Sequence, residues 1–327
     1  MSKVLGLGNA LVDIMTKLNN ESTLDQLGLP KGSMQLVDEV FMQKAVEHTK
    51  HIPQTLAAGG SAANTIHGLA NLGVNTAFIG KIGSDTFGSA FESDMRKNNI
   101  NPIMLKGKAE SGRALALVSP DSERTFAVYL GAAIEMTAED LKQEMFEGYS
   151  YFHIEGYLVQ NHDLIRRAVE IAHSKGLKIS LDMASYNVVE DNREFLKEII
   201  EKYVDIVFAN EEESKAFTGK SPEESLDILG SMVSIAVVKL GSSGSLIKRG
   251  EEKVSVGVID VDCIDTTGAG DLYASGFIYG LIKNLPLHKC GQIGAVLSGH
   301  VIEVLGPKMD GKRWDNVKKL VDSIEKE

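Results

Sequence analysis

The chain has 327 residues, 43% of them hydrophobic and 24% charged, which suits a globular fold with a sizeable core. A formal net charge of −11 argues against a nucleic-acid or anionic-membrane partner, while leaving room for a local basic pocket. Cys263 and Cys290, without CxxC spacing or a His cluster, argue against a zinc site or disulfide scaffold and for a reducing cytoplasm.

No apolar run reaches membrane-spanning length. In MSKVLGLGNALVD, Gly6, Gly8, Asn9 and Asp13 interrupt the apolar run before a signal-peptide core can form. Lys3–Leu7 reads as a buried strand. The Gly6-x-Gly8 pair lacks the third glycine of a dinucleotide fingerprint, since Leu11 stands there. Asp13, just past this strand, is a candidate ligand group, because ligands of α/β sheets gather at carboxyl ends of strands. Residues 14–36 read as short strands and turns, and 41–52 as a helix. Gly59-Gly60-Ser61-Ala62-Ala63-Asn64 precedes a helical pattern, with Ser61 as its expected cap and Asn64 in its first turn. A strand at 76–80, a turn at 83–88 and a helix at 89–98 follow.

From 103 to 133 the pattern turns β-rich. Runs at 113–118 and 124–130, separated by Ser119-Pro120-Asp121-Ser122-Glu123, form a hairpin by composition. The alternation after Thr137 predicts helix 138–146, strand 151–155, helix 161–175, strand 178–183, helix 193–202 and strand 205–209. This order implies a parallel sheet with helices on both faces. Asn210-Glu211-Glu212-Glu213 follows the last of these strands. It is either a solvated helix start or a group facing magnesium and phosphate. Strand 234–240 leads into Gly241-Ser242-Ser243-Gly244, a hairpin or a phosphate turn. A strand at 254–258 and helices near 271–283, 288–304 and 314–327 complete the chain.

The stretch with most chemistry is Asp265-Thr266-Thr267-Gly268-Ala269-Gly270-Asp271, continuing into Leu272 to Ile278. Ala274, Phe277, Ile278 and Leu281 fall on one helical face. The glycines therefore form a turn into a helix N-terminus, whose free N–H groups attract anions. The helix dipole favours an ionised Asp271, available as a base.

Together these pieces resemble the ribokinase/PfkB superfamily of carbohydrate and nucleoside kinases. The resemblance rests on Asp265–Asp271 running through Gly276-Phe277-Ile278, and on Gly59–Thr65. Gly83-x-Asp85-x-x-Gly88, Asn210-x-x-Glu213 and Lys239-Leu240-Gly241-x-x-Gly244 also fall in family order. It covers about residues 4 to 306. Gly8–Asp13, Tyr129-Leu130-Gly131-Ala132 and Asp205–Asn210 look like the adenosine-kinase-like branch. The resemblance implies a ribokinase-like α/β fold: a single three-layer α/β/α domain over 1–327, with a mainly parallel central sheet. Parts of 14–36 and 103–133 would form a small β-sheet lid.

It also implies ATP-dependent phosphoryl transfer to a primary hydroxyl of a nucleoside or sugar, adenosine first, with a free sugar such as ribose or fructose as the alternative. A catalytically idle ligand-binding member of the fold is the more distant reading. By analogy Asp271 is the base and Gly268, Ala269 and Gly270 the anion hole. Asp13, Gly59, Gly60 and Asn64 hold the acceptor, while Asn210, Glu213, Lys239, Gly241 and Gly244 face the nucleotide. Mg²⁺ would meet Glu213 through water, and K⁺ would meet Asp265. Gly294-Ala295-Val296 lies where relatives often offer an asparagine near the ATP base. In relatives such lids can pair two subunits.

Overall fold

Apolar runs of strand length, separated by helical periods, organise the chain into two sheets. The computed structural model describes residues 2–121 and 123–326. Its first half carries β1 (Lys3–Leu7), β2 (Leu11–Lys17), β3 (Met34–Leu36), β4 (Gln54–Gly59), β5 (Asn75–Ile82), β6 (Ile100–Lys106), β7 (Gly112–Val118) and β8 (Arg124–Tyr129). Its second half adds β9 (Tyr151–Glu155), β10 (Lys178–Asp182), β11 (Ile206–Asn210), β12 (Ile235–Lys239), β13 (Ser245–Arg249) and β14 (Glu252–Val256).

The larger sheet has nine strands in the order β14-β13-β12-β11-β10-β9-β1-β5-β6. Its pairings are parallel except at β12–β13 and β13–β14. Successive side chains of a strand enter opposite cores, as the period of two requires. Phe78 and Phe208 pack on one face with Ile66, Phe277 and Leu297 from helices Ser61–Asn71, Ala269–Ile282 and Leu287–Val301. Their neighbours Ile79 and Val207 pack on the other face with Ile165, Leu196 and Leu229 from helices His162–Ser174, Arg193–Tyr203 and Pro222–Met232. This is the three-layer α/β/α architecture expected of a ribokinase-like chain.

The smaller sheet has the order β3-β8-β7-β2-β4, with parallel β3–β8 and β2–β7 pairs and antiparallel β7–β8 and β2–β4 pairs. Register places Asp13 opposite Ala57 and Ala114. The adjacent edge of the larger sheet collects strand ends: Asn9 just past β1, and Glu155, Asp182, Asn210 and Lys239 ending β9, β10, β11 and β12.

Two expectations are corrected. Residues 138–146 form two short 3₁₀ turns, Ala138–Asp140 and Gln143–Phe146, instead of one helix. Leu141 and Phe146, both buried, are five residues apart, a spacing that one helical face does not serve. Asp140 is also tied to Lys81 Nζ at 2.7 Å. Within 14–36, Ser22–Leu27 is a short helix, burying Leu24 and Leu27 and closing on left-handed Gly28. The smaller sheet draws on parts of 14–36 and 103–133 through β2, β3, β7 and β8. Residues 103–106 belong to β6 and pair with β5 in the larger sheet, whereas Gln54–Gly59 joins the smaller one. Gly241-Ser242-Ser243-Gly244 connects antiparallel β12 and β13 as a hairpin turn. Ser122 in the expected hairpin turn and Glu327 in the last expected helix lie outside the described residues.

Candidate active site

Helix Ala269–Ile282 starts because Gly268 adopts a left-handed conformation, φ 76°, that an L side chain resists. No side chain caps this end. Among the described residues no acceptor takes the N–H groups of Gly270 and Asp271. The turn therefore presents free donors together with the positive end of the helix dipole.

Asp271 lies in the first turn and meets the start of a second helix. Its Oδ1 accepts from Ser61 Oγ at 2.8 Å and its Oδ2 from Asn64 Nδ2 at 3.0 Å. Ser61 does not cap its own helix as expected. The N-cap is Gly60, at φ 97°, where an added Cβ would stand 2.3 Å from the Asn9 carbonyl oxygen. The tight Gly60 turn frees Ser61 to reach Asp271. Burial pushes the Asp271 carboxyl up to about 6; Asn64 pulls it down, Asp182 pushes it up, and Ser61 and Lys239 pull it down. Desolvation thus exceeds the dipole effect inferred from sequence, and Asp271 remains ionised above that pH.

One cavity of about 320 Å³ is lined by Asp13, Gly60 and Asn64, by Gly270 and Asp271, and by Asn210, Glu213 and Lys239. It brings together residues from both sheets. Burial pushes Asp13 up to about 7, against Lys308, which favours its ionised form. Gly59 stays outside the lining; an added Cβ there would lie 2.3 Å from the Asp13 carboxyl, so this glycine leaves room for Asp13. Gly241, Gly244, Gly268 and Ala269 are also outside it.

Glu213 is buried, and both its oxygens are engaged by Asn210: Oε2 by the backbone N–H at 2.8 Å and Oε1 by Nδ2 at 2.7 Å. Burial raises its pKa. This donor set fits a hydrated Mg²⁺, which keeps several waters and would be met through them, better than a bare ion. Asp265, the group expected to meet K⁺, is engaged by three donors. Its Oδ1 accepts from Thr267 N at 2.7 Å and pairs with Arg124, and its Oδ2 accepts from Gly306 N at 2.6 Å. These bonds tie the smaller sheet to the glycine turn.

Several further residues of the cavity were not singled out from sequence. Arg124 and Phe126 come from β8, Tyr157 from the turn after β9, and Asp182 from the end of β10. Asp182 carries the only available signal, a carboxylate ending a parallel strand. Beneath the cavity, Glu155 is 1% exposed and accepts from Asn9 N at 2.9 Å, Asn9 Nδ2 at 2.7 Å and Ala62 N at 3.0 Å. It joins the loop before β2 to the helix that carries Asn64, and burial pushes its pKa up to about 7.

These features, a helix start with free N–H groups beside a half-buried carboxylate, have parallels in known proteins. The model of the family described as pfkB family carbohydrate kinase matches residues 35–310. The structure of adenosine kinase from Sinorhizobium meliloti is 33% identical and superposes with a TM-score of 0.85 over 98% of this chain and 99% of its own. A probable sugar kinase from Rhizobium etli is 31% identical, with a TM-score of 0.85 over 98% of each chain. Among curated proteins, the nucleoside kinase of Methanocaldococcus jannaschii is 29% identical over 82% of this chain and 85% of its own. The chain therefore belongs to the pfkB family of carbohydrate kinases, phosphotransferases whose acceptor is an alcohol group of a small-molecule sugar or nucleoside.

Proposed function

We propose that the protein transfers the γ-phosphoryl group of ATP to the primary hydroxyl of a nucleoside, adenosine first, giving ADP and the nucleoside monophosphate. The observation that carries this reading is the placement of Asp271, which accepts from Ser61 and Asn64 beside the free Gly270 and Asp271 N–H groups. The Asp271 carboxylate takes the hydroxyl proton as the oxygen attacks the phosphorus and the bond to the β-phosphate oxygen breaks. General-base help of this kind contributes about 10²–10⁴-fold in rate. The free N–H groups of Gly270 and Asp271 stabilise charge on the transferred group, while the Ala269 N–H is held by the Thr266 carbonyl at 3.2 Å.

Magnesium, when bound, neutralises charge across the phosphates. Asn210 and Glu213 would hold it through water, as the engaged Glu213 oxygens suggest. Asp13 and Asn64 orient the acceptor hydroxyls. Phe126 and Tyr157 give the cavity two aromatic walls, which suit a purine base better than a free sugar. The smaller sheet serves as a lid that excludes water, which would otherwise compete for ATP. Its edge strand β3 exposes Met34 and Leu36, and pairing of two copies there fits this reading. The free thiols Cys263 and Cys290 suit a cytoplasmic enzyme.

The test is kcat/KM with ATP and Mg²⁺ for adenosine, other nucleosides, ribose and fructose measured side by side. Adenosine is expected to lead. Activity confined to the free sugars would overturn the nucleoside assignment, and ATP binding without transfer to any acceptor would overturn the kinase mechanism.

A further inference from the structure

Lys239 ends β12 with its ammonium inside the cavity, and its side chain is 15% exposed. Among the described residues its Nζ has one hydrogen-bond acceptor, Asp182 Oδ2 at 2.8 Å, from the end of β10. The Glu213 oxygens, each accepting from Asn210, make no hydrogen bond to it among the described residues. An ammonium has three donors, so two remain for a ligand. The group also lies against the glycine turn: a Cβ added at Gly270 would stand 3.0 Å from Nζ.

The Asp182 carboxylate is aimed by its own backbone. Its Oδ1 accepts from Ala184 N at 3.1 Å, and Ala184 has φ 68°, one of three non-glycine residues with positive φ among those described. Non-glycine residues in this region persist where the surroundings impose them, and they cluster at functional sites. Burial opposes the Lys239 charge, but Asp182 and Glu213 outweigh it and hold its pKa above the ordinary value.

We propose that Asp182 is a positioning residue that fixes the Lys239 ammonium over the Gly268–Gly270 turn, where this ammonium contacts the terminal phosphoryl group of the nucleotide. The inference rests on the kinase reading and goes further in separating a terminal-phosphate contact from the rest of nucleotide binding. It also sets Asp182 apart from the magnesium-side group of Asn210 and Glu213.

The test is calorimetric titration of the full chain with ADP and with the β,γ-imido analogue of ATP, each with Mg²⁺. It compares wild type with Asp182→Asn, Lys239→Met and the double variant. One charge-assisted hydrogen bond corresponds to about a tenfold loss or more. Both single variants should therefore bind the triphosphate analogue roughly tenfold more weakly and keep ADP within about twofold. The double variant should match Lys239→Met, because Asp182 acts through the lysine.

Asp182→Asn keeps side-chain shape and an acceptor for Ala184. If the buried cation destabilises that chain, the double variant, which lacks it, carries the comparison against Lys239→Met. Unchanged analogue binding in Lys239→Met, or a further loss in the double variant, would overturn the proposal. So would a raised Mg²⁺ requirement in Asp182→Asn that Lys239→Met does not share. Wild type that binds neither nucleotide would overturn the kinase reading itself, an outcome distinct from these.

Discussion

The Ser61 hydroxyl donates to Asp271 Oδ1 at 2.8 Å across 210 residues of sequence, and this bond joins two helix starts at one carboxylate. Asn64 completes the arrangement through Oδ2 at 3.0 Å. Both bonds favour the ionised carboxylate, with Asn64 the stronger of the two. Asn64→Ala is therefore expected to raise the pKa of Asp271 and move the acid limb of the kcat/KM profile to higher pH. Ser61→Ala should do the same to a smaller extent. Profiles that superpose on wild type would show that neither bond tunes the base.

For wild type, the acid limb should lie near pH 6, where burial has pushed Asp271. The sign follows from the chemistry: a base must be unprotonated, so kcat/KM falls tenfold per pH unit below that value. A profile flat down to pH 5 would assign the limb to another group or remove the proton transfer from the controlling step.

Gly60 is a stringent position because its φ of 97° and the Asn9 carbonyl act together. Gly60→Ala adds a Cβ 2.3 Å from that oxygen in a conformation L residues resist. We expect a loss of about 2 kcal/mol or more in stability by denaturant titration. The acceptor KM should also rise, since the Ser61 and Asn64 helix start shifts. Wild-type stability and KM would mean that the turn relaxes freely.

Ligand-free stability should depend on pH in a defined direction. Burial raises Asp13 and Glu155 from 3.8 and 4.5 to about 7, and Asp271 from 3.8 to about 6. The folded chain thus retains protons that the unfolded chain has released, so their contribution is present at low pH and lost as pH rises through 6 to 7. His67 and His153 are lowered by burial and act oppositely, but only below their ordinary value of 6.5. Between pH 6.5 and 8 the carboxylates prevail, and the Tm of the ligand-free protein should fall by a few degrees. A Tm that rises across this range would contradict the burial of these groups.

The glycine turn and Asp271 were legible because turn residues and a helical apolar face sit side by side in the sequence. Asn64 and Asn210 were legible for the same reason, each next to a helix start. Asp182 was not. Its partner Lys239 is 57 residues away, and only parallel pairing through the intervening β11 brings them together. Arg124 was equally hidden, since its bond to Asp265 depends on how the smaller sheet sits over the larger. Local propensity also misjudged 138–146. There Lys81, from a distant strand, fixes Asp140 in a short turn, a tertiary contact overriding a helical pattern.

The central claim is that Asp271 takes the acceptor's proton. The measurement that tests it most directly is the single-turnover rate of Asp271→Asn with ATP, Mg²⁺ and the best acceptor. The substitution keeps side-chain shape, so unfolding is expected to follow that of wild type. The rate should fall by about 10²–10⁴-fold, with acceptor binding retained. A rate within a few-fold of wild type would contradict the account.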